Sequence, residues 1–261
     1  MRVLLLGDIF GRPGRDMIKE FLPQIQSEYH PDLVIANGEN AAGGFGITQA
    51  VAEELFSLGI QVITSGNHIW DIRDVYPYLD AEARILRPAN YPPNVPGNYR
   101  YFATVGEYKV AVVNLIGRVF MGDYDCPFRK IDELLSEINQ VTPITIIDFH
   151  GEATSEKQAF GWYVAGRVSV VVGTHTHVPT ADARILPGGT AYVTDLGMCG
   201  PLDGILGVQR EPVINKFLSQ LPAHFSVAKG DRQLCGVIVD IDAATGKAEH
   251  IFRIYYEKKI V

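Results

Sequence analysis

An α/β fold of two packed sheets with outer helices follows from two patterns in the chain. Near-continuous Val/Ile/Leu runs of strand length recur over the first two thirds, with helical patterns between them. Such runs are expected of parallel strands covered on both faces. Farther on, β-rich runs come in pairs around glycine, as in hairpins.

Taken in order, RVLLLG (2–7) precedes an amphipathic GRDMIKEFLPQIQSEY (14–29). DLVIAN (32–37), a glycine-rich turn and helical TQAVAEELFSLG (48–59) follow, and QVITSG (61–66) repeats the arrangement. From residue 99, YRYFATVGEYKVAVVNLIG places two strand-like runs either side of Gly106-Glu107. A helix over 128–140 precedes the strands PITIIDFH (143–150) and VSVVVGTH (168–175). ARILPGGTAYVTD (183–195) and the segment 234–257 read as two further hairpins, the second turning at Ala243 to Gly246. With no repeat, linker or low-complexity stretch, one domain over 1–261 is the simplest organisation.

The 261 residues can bury a sizeable core without a metal or disulfide to hold it together. Net charge is −7, from 23 Lys+Arg against 30 Asp+Glu, which argues against a broad nucleic-acid surface. Cys126, Cys199 and Cys235 are far apart and form neither a zinc pair nor a disulfide framework. The first residues form a strand rather than a secretory signal, and no run approaches the roughly 20 apolar residues of a membrane span. The expectation is a soluble cytoplasmic protein with reduced thiols.

Polar residues gather where strands end. Asp8 follows RVLLLG, Glu39 and Asn40 follow DLVIANG, Asn67 and His68 follow QVITSG, His150 ends PITIIDF, and His175 and His177 follow VSVVVG. In open α/β sheets ligands bind outside the carboxyl ends of strands. One such Asp, Asn or His is readily explained as a turn former, a cap or a hydrogen-bonded structural residue. Turn making predicts neither an excess of histidine nor a common rim. His175-Thr176-His177 is the sharpest element: in an extended segment, residues two apart share a face, so both imidazoles would address one centre. Gly173 lets the backbone approach closely.

Imidazole, carboxylate and amide donors without thiolate suit Mn, Fe or Zn. About seven ligands exceed what one structural zinc requires, so two ions sharing Glu39 is the natural count. A pair of ions suits phosphoester hydrolysis, and His68, beside the ligand Asn67 but itself unligated, is placed to protonate a leaving oxygen.

GD at 7–8, NGEN at 37–40, GNH at 66–68, His150 and GTHTH at 173–177 resemble the calcineurin-like metallophosphoesterase pattern. GDIFGRPGR, NGENAAGGFGIT, TSGNHIWD, NLIGRVFM and FHGEATSEK resemble more closely the YmdB-like 2′,3′-cyclic-nucleotide phosphodiesterases. The resemblance implies a four-layer α-β-β-α sandwich of two mixed sheets flanked by helices. It implies one ion held by Asp8, Glu39 and His177, and a second held by Glu39, Asn40, Asn67, His150 and His175. Mn or Fe is favoured, with Zn or Mg as alternatives. His68 matches the family's proton donor. Phe10 stands where the broader superfamily has histidine, and Glu39 where it has aspartate; both departures match the YmdB-like branch.

The expected activity is therefore hydrolysis of a small cyclic nucleotide such as 2′,3′-cyclic AMP by a metal-bridging hydroxide, with His68 as general acid. A phosphomonoesterase or protein phosphatase with the same centre is one alternative. A metal-bound regulatory protein contacting RNA-processing partners is another. Homo-oligomers are compatible with the sequence. The loop 117–128 carries Arg118, Phe120, Tyr124 and Phe128, read either as a lid whose arginine meets phosphate or as a surface loop docked by its aromatics. Thr48 reads first as a helix cap. Arg12 and Arg15 read as phosphate-attracting or merely solvated, and His30, His224 and His250 carry no assigned role.

Overall fold

The computed structural model describes residues 1–260; Val261, the last residue of the expected single domain, lies outside them. Its four layers run helix, sheet, sheet, helix. The first sheet has seven strands: β1 (Arg2–Leu6), β2 (Asp8–Ile9), β3 (Leu33–Asn37), β4 (Val62–Thr64), β11 (Met198–Pro201), β12 (Arg232–Ile241) and β13 (Ala248–Lys258). Their order is β2-β11-β12-β1-β3-β4, with β13 along the other edge of β12. The pairs β1/β3, β3/β4 and β2/β11 are parallel, whereas β12 is antiparallel to all its neighbours.

The second sheet has six strands: β5 (Arg100–Val105), β6 (Tyr108–Ile116), β7 (Thr145–His150), β8 (Val170–Thr174), β9 (Arg184–Leu186) and β10 (Thr190–Val193), in the order β5-β6-β7-β8-β10-β9. Its four central strands are parallel, and hairpins supply both edges. The helices are α1 (Gly11–Tyr29), α2 (Gln49–Ser57), α3 (Tyr76–Ala81), α4 (Pro127–Ile138), α5 (Thr154–Val164) and α6 (Arg210–Ser219).

The unbroken apolar runs are explained by burial of both strand faces. Val3 and Leu5 of β1, with Leu33 and Ile35 of β3, meet Val110, Val112, Ile146, Val170 and Val172 between the sheets. Leu4 and Leu6 point the other way, onto Met17, Ile18, Leu22 and Ile25 of α1. On the far side Val113, Ile147 and Phe149 pack on Ile131, Leu135 and Phe160 of α4 and α5. Each fully buried aliphatic side chain contributes about 1.5–3 kcal/mol, so both faces of β1 fix its register and hold the segment after it in place.

The expected strands, hairpins and first helices are present with small changes at their ends; α1 starts at Gly11, directly after Phe10. Sequence patterning missed α3, α5, α6 and the four-residue β11. α5 carries no strong local period and folds as a helix with Phe160 and Val164 packed on the second sheet. No helix among the described residues is long and apolar enough to cross a membrane.

Candidate metal centre

The parallel strands of both sheets end at one rim, and their next residues converge there. Asp8, Glu39, Asn40 and His150 are buried. Glu39, His150 and His175 each offer one ligand atom, all within 4.8 Å of one another. His150 Nε2 lies 3.0 Å from His175 Nδ1, 3.1 Å from Asn67 Oδ1 and 3.2 Å from Glu39 Oε1. His177 Nε2 lies 3.7 Å from Asp8 Oδ1. Gly66 sits under this group, where a Cβ would overlap His150 Nε2 and Glu39 Oε2. At Gly173 a Cβ would overlap the Thr194 carbonyl, which accounts for glycine in β8.

The hydrogen bonds fix which ring nitrogens face inward. The Thr174 hydroxyl donates to Asp148 Oδ1 at 2.7 Å, so its oxygen accepts from His150 Nδ1 at 2.9 Å. Asp148 is buried and also takes bonds from Thr64 and Asn37. His177 Nδ1 donates to the Leu206 carbonyl at 3.1 Å. His175 Nε2 faces Glu152 Oε2 at 3.2 Å, which favours the proton on that nitrogen. Each imidazole thus spends one N–H outward and turns its other nitrogen toward the carboxylates, as metal-binding histidines do.

Asp8 Oδ2 accepts the His175 backbone N–H at 3.2 Å, but buried Oδ1 has no hydrogen-bond partner among the described residues. An orphaned buried carboxylate oxygen is rare and costly, and a cation removes the cost. Burial holds the Asp8 carboxyl well above the ordinary carboxylate range; His150 opposes this, while Glu39, Asp195 and Asp148 add to it. For Glu39 burial also pushes upward, but the charge and hydrogen bond of His150, with His68 and His175, outweigh it and bring the group to about 2. Burial lowers His150, yet Glu39, Asp8 and Asp148 outweigh that and raise it. Burial and the neighbouring His150 depress His175 to about 3, and burial also depresses His177. The donor set fits divalent cations, which would replace the proton that His150 shares with Glu39.

The His-Thr-His segment is not the extended stretch expected of it. Strand β8 stops at Thr174, and His175 and His177 adopt left-handed backbone with φ 100° and 64°. An extended backbone does not aim these rings. Their positions are fixed by Asp8 on the His175 N–H, Leu206 on the His177 ring, and Asp195 on Thr176. Asp195 Oδ2 accepts the Thr176 N–H at 3.1 Å and its hydroxyl at 2.7 Å, and itself pairs with buried Lys157 at 2.6 Å. Non-glycine residues hold such strained backbone only where surrounding contacts over-determine it.

Asn40 stands in the same group, beside Glu39 and His177. Its Nδ2 donates to Glu39 Oε1 at 3.1 Å and faces His177 Nε2 at 3.3 Å, because a carboxylate and a lone pair sit beside it. His68 lies at the mouth, with its backbone N–H on Glu39 Oε2 at 3.3 Å and its Nδ1 on Asp71 Oδ2 at 2.7 Å. Arg118 is not with these groups: it lines a neighbouring hollow of about 500 Å³ with Tyr124 and Glu156. In its loop, Phe128 packs on Phe160 and Tyr163, Tyr124 bonds Tyr91, and Phe120 is 89% exposed. Thr48 caps α2, and Arg15 is occupied by Glu54 and the Ala41 carbonyl.

Phe10 lines the cavity beside the centre, its ring edge-on to His177 at 5.5 Å. Sequence reasoning did not single out Asp71, Asp148, Thr174, Lys157 or Asp195. Asp148 left one signal, a carboxylate inside the apolar run ITIIDF, where an acid needs buried partners.

A family model described as YmdB-like protein matches residues 4–254. The chain belongs to the YmdB-like family. A Bacillus subtilis (strain 168) relative named 2′,3′-cyclic-nucleotide 2′-phosphodiesterase is 51% identical over 254 residues, spanning 97% of this chain and 96% of the relative. A crystal structure of a hypothetical protein from Thermus thermophilus superposes with TM-score 0.93 at 40% identity, covering 99% of this chain and 100% of that one. Another, of a novel phosphatase from Mycoplasma pneumoniae, gives TM-score 0.94 at 35% identity over 99% of this chain and 94% of that one. The four-layer YmdB-like sandwich thus carries candidate ligands for divalent metal at its strand-end rim.

Proposed function

We propose that this YmdB-like chain, acting as one domain over 1–261, is a dinuclear metal phosphodiesterase that opens 2′,3′-cyclic nucleotides at the 2′-oxygen. The observation that carries the metal reading is the inward aim of three imidazole nitrogens, together with Asp8 Oδ1, which has no hydrogen-bond partner among the described residues. Asp8, Glu39 and His177 would hold one ion; Glu39, Asn67, His150 and His175 would hold the other. Asn40, expected among the second set, is assigned to positioning Glu39 and His177. Imidazole, carboxylate and amide donors favour Mn or Fe over Zn or Mg. Free cysteines, two of them buried, suit a reducing cytoplasm.

Divalent ions bound there would supply hydroxide at neutral pH and would offset charge on phosphoryl oxygens. The chain's own contribution is the acid. Asp71 holds the Nδ1 side of His68 and orients the ring, so Nε2 is the atom that delivers a proton. Water oxygen bonds to phosphorus and releases one proton to solvent, the P–O2′ bond breaks, O2′ takes the His68 proton, and the phosphate stays on O3′. A solvent proton restores His68. The 2′-specificity comes from the name of the Bacillus subtilis relative.

Protein stripped of metal and resupplied with Mn²⁺ should bind two ions per chain by elemental analysis and hydrolyse 2′,3′-cyclic AMP. It should turn over a phosphomonoester and a linear diester more slowly in a side-by-side comparison. Full metal occupancy without hydrolysis of any of the three would sink the catalytic reading, and a faster monoester rate would transfer it to the phosphatase class. Glu39→Gln should abolish binding of both ions, since both sets share that carboxylate.

A further inference from the structure

The cavity beside the centre, about 270 Å³, is lined by Glu39, His68 and His177 together with the aromatic rings of Phe45 and Phe225. Phe45 leaves 45% of its surface in solvent, though it is a large aromatic. Its ring stands edge-on to the His68 imidazole, 5.4 Å between centroids and 75° between planes. It is presented by a tight turn after β3, in which the Gly44 N–H bonds the Asn40 carbonyl at 3.1 Å and the Ala42 N–H bonds the Gly46 carbonyl at 3.0 Å. The backbone therefore holds this ring at the mouth without burying it in the core. An exposed aromatic fixed on a loop beside an acid is placed for a ligand rather than for stability.

We propose that Phe45 is the stacking platform for the base of the cyclic nucleotide, and that by holding the base it selects the 2′-ester for cleavage. This rests on the phosphodiesterase reading above. In a 2′,3′-cyclic nucleotide the base hangs from C1′, next to the carbon that carries O2′; O3′ is one carbon farther away. A base stacked on the ring adjoining His68 brings O2′, not O3′, to the His68 proton. The P–O2′ bond then breaks, O2′ takes that proton, and the phosphate remains on O3′. Aromatic stacking tolerates any base, so Phe45 would contribute affinity and regiochemistry with little discrimination among purines and pyrimidines.

The test deletes the ring and the base separately. Mn²⁺-loaded wild type, Phe45→Ala and Phe45→Trp are assayed on 2′,3′-cyclic AMP and on the base-free 1-O-methylribose 2′,3′-cyclic phosphate. Phe45→Ala should lose roughly 5- to 150-fold in kcat/KM on the nucleotide, mostly through KM, and far less on the base-free substrate. Phe45→Trp, which keeps a stacking face, should retain activity on the nucleotide. Chromatography of the products should give 3′-AMP alone from wild type and an admixture of 2′-AMP from Phe45→Ala. Equal losses on both substrates would overturn the inference, since Phe45 would then act on His68 and not on the base; so would no loss on the nucleotide. If Phe45→Ala does not fold, a Phe45→Trp variant as impaired on the nucleotide as on the base-free substrate would overturn it. Wild type inactive on both substrates with metal bound would overturn the function reading itself, a result distinct from any outcome specific to Phe45.

Discussion

Two hollows at opposite ends of the sandwich differ in kind. The one at the amino ends of β7, β8 and β10 is the larger, about 410 Å³ against about 270 Å³ at the histidine rim. Two of its polar neighbours are paired elsewhere rather than aimed at a common point: Arg167 with Asp132 at 2.5 Å, and Thr245 with Asp242 at 2.7 Å. Gly166, Gly188, Gly189 and Gly246 make up much of the rest of its wall. The smaller hollow faces inward-aimed imidazoles and adjoins a carboxylate oxygen with no partner among the described residues. Volume does not mark a site; converging polar atoms with unspent bonding capacity do.

The widest separation between the two ends should come from His68→Ala, which removes the acid and keeps the ligands. A kcat lower by roughly 10²- to 10⁴-fold with unchanged metal content is expected. Loss of metal as well would make His68 a ligand. Next comes the support under the rim. Lys157→Met leaves buried Asp195 without its cation and should cost about 3–5 kcal/mol in urea unfolding. A cost near zero would mean that the pair does not hold the 175–177 segment.

Thr174→Val keeps the shape but breaks the relay from His150 to Asp148. Calorimetry should then record a roughly 10- to 100-fold weaker metal affinity; unchanged affinity would show that the relay does not set the His150 tautomer. A smaller effect is linked to pH. His175 is held at about 3 in the folded chain, below its ordinary value, so folding keeps it neutral while the unfolded chain protonates it. Its contribution is complete above the ordinary histidine range and is lost as pH falls toward 3. Asp8, raised by burial, acts with the opposite sign in both proteins being compared. In metal-free protein, His175→Gln should therefore lose less melting temperature than wild type between about pH 7 and about pH 5; an equal loss would refute the assignment. The smallest change belongs to the other hollow. Lys247→Ala should leave stability within about 0.5 kcal/mol and kcat unaltered, and a fall in kcat would erase the contrast between the two ends.

Much of the fold was readable because its signals are local. The apolar runs of β1, β3, β7 and β8 and the three hairpin turns depend on neighbours in sequence. Placing Asp8, Glu39, Asn67 and His150 on one rim needed only the rule that ligands gather at carboxyl strand ends. Sequence patterns lose their hold where side chains meet across the chain. His175 and His177 were expected on an extended segment; Asp195 and Leu206 instead bend it into left-handed backbone. Arg118 follows a strand at the same rim, yet its loop carries it into a separate hollow.

By itself the sequence determined which chemistry-bearing residues stand at strand ends, since strand period and turn residues act over a few positions. Tertiary structure alone decided which ring nitrogens face inward, which carboxylate oxygen lacks a partner among the described residues, and which aromatic stands beside His68. Those outcomes depend on contacts such as Thr174 with Asp148 and Lys157 with Asp195, 26 and 38 residues apart. Only the packing of two sheets and their helices brings such groups within hydrogen-bonding distance, and burial then makes each unspent donor or acceptor costly enough to demand a partner.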